Sequence, residues 1–151
     1  PGNRSMNSLP LDKADAIADR ALAKGREMNF QPLTVCVLDA GGHIKVLKRG
    51  DGSSLLRPDI AMGKAWGALG MGFGGRELAR RAEKMPAFFT ALNAMSDGRM
   101  VPVPGGALIR NAAGEIVGSI GISGDTSEND EICLIDGVES QGLIADTGDK
   151  R

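Results

Sequence analysis

Leu33-Thr34-Val35-Cys36-Val37-Leu38-Asp39-Ala40-Gly41-Gly42-His43-Ile44-Lys45-Val46-Leu47-Lys48-Arg49 is the stretch on which the fold turns. Its first half is a short β-branched apolar run, and its second half alternates apolar with polar. Gly41-Gly42 stands between them, so the stretch predicts a β-hairpin. A second hairpin follows later, with Ala107 to Arg110 and Glu115 to Ser123 flanking Asn111-Ala112-Ala113-Gly114. Working outward, Ala14, Ile17, Ala18, Ala21, Leu22 and Met28 recur at helical spacing between Pro10 and Asn29. Pro58 to Met71, Arg76 to Lys84 and Pro86 to Met95 predict three more helices between the hairpins. Ser127 with Asp130 three residues on marks a last helix start, and that helix is expected to run to about Ile144. The order α-ββ-ααα-ββ-α places helices against an antiparallel sheet, an α+β fold.

With 151 residues, the chain has the length of one domain with its own core. Pro1 to Ser5 look like an expression scar ahead of Met6, which leaves residues 6–151 as that single domain. Eighteen Lys and Arg against nineteen Asp and Glu give a net charge of −1. This balance lacks the basic excess that grips nucleic acid. Aromatic residues are 3% of the chain, with no Tyr, too few for base stacking. No apolar run approaches the roughly 20 residues that cross a bilayer, so no membrane partner is expected and a cytoplasmic location is. Cys36 and Cys133 sit 97 positions apart in apolar segments (133 minus 36) and predict buried free thiols. No ligand cluster of the metal-binding kind is present, so no metal site is expected. The spacing of Gly63, Gly67 and Gly70 predicts close packing of the second helix on a sheet or on a symmetry mate.

Val37 to Ile44, Lys48-Arg49-Gly50-Asp51-Gly52 and Lys64-Ala65 resemble the front half of the GlcG/HbpS family. Val103-Pro104-Gly105-Gly106, Ile116 to Asp125 and Asn129-Asp130-Glu131 resemble its back half, in the same order and spacing from about Leu11 to Leu143. The resemblance implies a compact α/β/α domain with a central antiparallel sheet of profilin-like character, and homo-oligomers. It also implies haem as a possible cofactor, since members include haem-binding and haem-sensing proteins. A related domain follows the catalytic part of some corrinoid adenosyltransferases. Other members belong with hydroxy-acid or aromatic-acid catabolism.

Arg49, Asp51 and Lys64 are the charged residues that such a topology brings toward one end of the sheet. A guanidinium grips a carboxylate at two points and a lysine adds a second positive centre. Pro104, Gly105 and Gly106 let a ligand approach bare backbone. The six form the candidate ligand site for a small anion; the other reading is a structural Arg49–Asp51 pair beside a surface lysine. His43, the single histidine, is expected as a solvated turn residue. Met62, Met71, Met85, Met95 and Met100 are candidates to line a haem slot, or simply to fill the core. Glu128, Asp130 and Glu131 suit a helix N-terminus. Two functions compete. One is an oligomeric module that holds haem or a similar anionic molecule. The other is a cofactor-independent enzyme acting on a small carboxylic acid, such as a hydroxy acid or an aromatic ring-cleavage product, with Asp39, Asp51 or Asp130 moving the proton.

Overall fold

The structure is a computed structural model that describes residues 9–150. The expected scar at Pro1 to Ser5 lies outside the described residues. Five helices and five strands follow the expected order, with one added strand at the end. They are α1 (Leu11–Glu27), β1 (Thr34–Asp39), β2 (Ile44–Arg49), α2 (Arg57–Met71), α3 (Gly75–Lys84), α4 (Pro86–Met95), β3 (Gly106–Arg110), β4 (Ile116–Ser123), α5 (Ser127–Glu139) and β5 (Ile144–Asp146). The strands form one antiparallel sheet in the order β2-β1-β4-β3-β5. This is the α+β, profilin-like fold expected from the sequence.

The β1 run is apolar at successive positions because β1 lies between β2 and β4 with both faces covered. Val35 and Val37 join Ile17, Ala21, Leu134 and Val138 of α1 and α5 in the main core. Cys36 and Leu38, on the opposite face, pack against Ala61 and Ala65 of α2. The result is three layers, with α1 and α5 beneath the sheet and α2 above it. Both cysteines are buried and free, and burial pushes each thiol up to about 12. The first hairpin closes at Gly42, whose φ of 85° suits a residue without Cβ. Asp39 Oδ1 accepts bonds from the N–H groups of Gly41 and His43 and fixes the turn.

Three expectations are corrected. The last helix ends at Glu139, five residues before Ile144; a turn through Gly142, at φ 73°, then brings Ile144–Asp146 onto β3. The cap of α5 is Thr126, whose hydroxyl accepts the Asn129 N–H at 3.1 Å. The glycines that admit the helix–sheet contact belong mainly to the strands. A Cβ at Gly121 would strike the Ala61 carbonyl, and one at Gly106 would come within 2.6 Å of the Lys64 carbonyl. Gly63 instead admits the segment after α4, with the Arg99 carbonyl 2.9 Å from where its Cβ would be.

Candidate functional site

Helix α2 enters the site first because the glycine trough of β3 and β4 draws it down onto the sheet. That descent buries Lys64, which is 3% exposed. Its ammonium donates to the Ile122 carbonyl at 2.9 Å and to Asp130 Oδ2 at 3.3 Å. The other Asp130 oxygen accepts the Asp125 N–H at 3.0 Å. Burial pushes the Lys64 ammonium down and the Asp130 carboxyl up, and their mutual attraction opposes both shifts. Gly105, at φ 100°, passes so close that a Cβ would lie 2.8 Å from Lys64 Nζ. Lys64, Gly105, Gly106 and Asp130 therefore do converge, from three segments: α2, the turn into β3, and α5. Their meeting is a closed ion pair in which the ammonium is already committed.

Among the described residues, none of the other sequence-derived candidates hydrogen-bonds to the Lys64 or Asp130 side chain. Arg49 is exposed at the end of edge strand β2, in register with Thr34. Asp51 is exposed and lines a different cleft of about 270 Å³ with Leu22, Arg26, Phe30 and Leu33. Pro104 is half-buried ahead of the Gly105 turn. Asp39 is held by the first hairpin: burial raises its carboxyl, but bonds from His43 and Gly41 outweigh that and hold it below the usual carboxylate range. His43 is exposed, with its ring nitrogen 3.1 Å from Asp39. Glu131, expected as part of a helix-start cluster, grips the Arg76 guanidinium at 2.9–3.0 Å.

A roomier cleft, of about 470 Å³, opens on the outer side of α2. The first hairpin supplies Leu38, Gly42 and Ile44, α2 supplies Asp59, Met62, Gly63 and Trp66, and the turn after α4 supplies Asp97, Gly98 and Arg99. The Arg99 guanidinium stands over the Trp66 ring, 4.1 Å from its centroid. This volume lies within the range of small-molecule sites, and its mix of apolar walls with few charged groups is typical of them. Of the methionines considered for a haem slot, Met62 lines this cleft. Met71 and Met100 pack with Leu78 and Phe89, while Met85 and Met95 are exposed. Sequence reasoning passed over Trp66 and Arg99. The available signals were the single Trp one turn beyond Met62 and an arginine directly after Asp97-Gly98.

Among the described residues, no group of three or more His, Cys, Asp or Glu is placed to hold a metal ion. Nor is any helix long and apolar enough to cross a membrane.

Fold and cleft together define a small α/β/α domain with a solvent-reachable apolar pocket beside its second helix. Residues 9–139 match the family described as "Haem degrading protein HbpS-like", and the chain belongs to that family. An uncharacterized 15.0 kDa protein in the dhaT-dhaS intergenic region of Citrobacter freundii is 27% identical over 130 residues, covering 86% of this chain and 89% of that one. The Streptomyces reticuli HbpS structure, as a double mutant, aligns with a TM-score of 0.77 at 26% identity, covering 91% of this chain and 89% of its own. A PduOC–haem complex shares the fold with a TM-score of 0.81 at 23% identity, covering 94% and 99% of the two chains.

Proposed function

We propose that this protein is a small-molecule-binding module that holds haem or a similar anionic molecule, and that it works as a cytoplasmic homo-oligomer. The observation that carries the reading is the cleft of about 470 Å³ beside α2. A haem site needs an apolar slot, an axial donor and a place for the propionates. Leu38, Ile44 and Trp66 supply apolar wall, Met62 a thioether, and Arg99 a cation at the rim. The family description and the haem complex of a protein with this fold support the same ligand class. The carboxylates considered for proton transfer do not share this cleft. Asp39 is tied into a turn, Asp51 borders the smaller cleft, and Asp130 is buried against Lys64.

Titration with ferric haem tests the reading. A Soret band that saturates at a fixed ratio of haem to chain is expected, and Met62→Ala is expected to shift its position if the thioether ligates the iron. A spectrum that stays that of free haem at every ratio would overturn the haem assignment.

A further inference from the structure

Among the described residues, Arg20, Arg76, Arg80, Arg81 and Arg110 each pair with a carboxylate. Arg99, like Arg26, Arg49 and Arg57, is in no ion pair among the described residues, and of these four it is the one that lines the roomier cleft. Its Nε donates to the Ser96 carbonyl at 2.8 Å, and its charge rests on the face of Trp66. Such a contact at an exposed site is weak. The main chain beneath it is firmly set. Asp97 and Gly98 turn the chain with φ of 59° and 72°, the Arg99 carbonyl presses on Gly63, and the Val101 N–H donates to the Gly63 carbonyl at 3.2 Å. The base of Arg99 is thus fixed while its long side chain is held only by a ring face and one carbonyl. A flat conjugated body would stack on the indole that the guanidinium now covers. A guanidinium displaced from that ring gains most from a carboxylate, which it grips at two points.

We infer that Trp66 and Arg99 form an exchangeable stack and clasp that selects flat, conjugated carboxylates: the ligand's plane takes the indole face while the guanidinium turns to its carboxylate. The inference rests on the proposed role of this cleft as the ligand site. Asp59 and Asp97 share the rim. They repel an anion charged on every side, so the ligand must carry its carboxylates at one end of an apolar body.

Protoporphyrin IX and its dimethyl ester test this, because they share the flat body while esterification caps both carboxylates and removes their charge. The unaltered protein is expected to bind the acid about tenfold tighter than the ester. Arg99→Met should remove that preference by weakening the acid alone, and Arg99→Lys should restore part of it. Arg99→Met should also change the emission of Trp66, the single tryptophan in a chain without tyrosine. Equal effects of Arg99→Met on acid and ester, no effect on either, or unaltered Trp66 emission would each overturn the clasp. Ile44→Trp, which fills the cleft from an exposed wall position, separates the two levels of the argument. Lost acid binding there with Arg99→Met indifferent leaves the cleft standing and removes the clasp. Undiminished acid binding in Ile44→Trp removes both.

Discussion

At the scale of single residues, the buried Lys64–Asp130 pair is costly to form. Two charges taken out of water must be repaid by each other and by the Ile122 carbonyl and Asp125 N–H. Lys64→Met leaves Asp130 buried without its counter-charge and is expected to lower stability by about 3–5 kcal/mol. Lys64→Met combined with Asp130→Leu should recover much of that loss. Urea unfolding of both variants checks this, and an undiminished midpoint for Lys64→Met would refute it. Asp125 works in the opposite sense. The N–H groups of Gln31 and Thr126 and the amide of Asn129 hold its carboxyl below the ordinary value of 3.8. A depressed folded pKa contributes stability that is complete above the unfolded value and lost as pH falls through the folded one. Asp125→Asn should therefore destabilise at neutral pH and flatten the dependence of melting temperature on pH below about 4. Melts at pH 7 and pH 3 measure that difference.

At the scale of elements, what was legible depended on whether a segment carries its own pattern. Both hairpins and all five helices do, through alternation, glycine turns and helical spacing. β5 does not, because Ile144–Asp146 becomes a strand only by pairing with β3 and through the Arg110–Asp146 contact at 3.0 Å. The same contrast governs the glycines. Helical spacing draws attention to Gly63, Gly67 and Gly70, yet the contact that seats α2 on the sheet is made at Gly106 and Gly121. Those lie opposite each other across β3 and β4, a pairing invisible before the strand register is known. Gly121→Val should push α2 off the sheet and cost about 3 kcal/mol from overpacking. Gly70 is exposed, with only the Trp66 ring near its missing Cβ at 3.8 Å. Gly70→Ala should therefore stabilise the protein by about 0.5–1 kcal/mol through helix propensity. Thermal melts reporting both changes in the same direction would contradict this account of where the close approach lies.

At the scale of the whole molecule, one feature of the candidate site was readable and one was not. Lys64, the Gly105-Gly106 turn and Asp130 could each be singled out, and they do meet. Their burial could not be foreseen, because it follows from the depth to which the glycine trough admits α2. The cleft beside Trp66 brings together a hairpin end, a helix and a turn from distant parts of the chain, and no local spacing announces it. Helix α4 poses a related question about surface. Pro86 to Ser96 contains no charged residue, yet Phe88 is 49% and Met95 76% exposed, and only Phe89 of the helix is buried. A contiguous apolar surface is costly in water and marks a site of association. The proposed homo-oligomer would cover it. Light scattering at micromolar concentration is expected to give a multiple of the 15.7 kDa chain mass. Phe88→Glu with Met95→Glu should shift the population toward monomer while leaving the melting curve cooperative, because neither side chain belongs to the buried core. A monomer in the unaltered protein would refute self-association. An unchanged oligomer in the double variant would place the contact on another face.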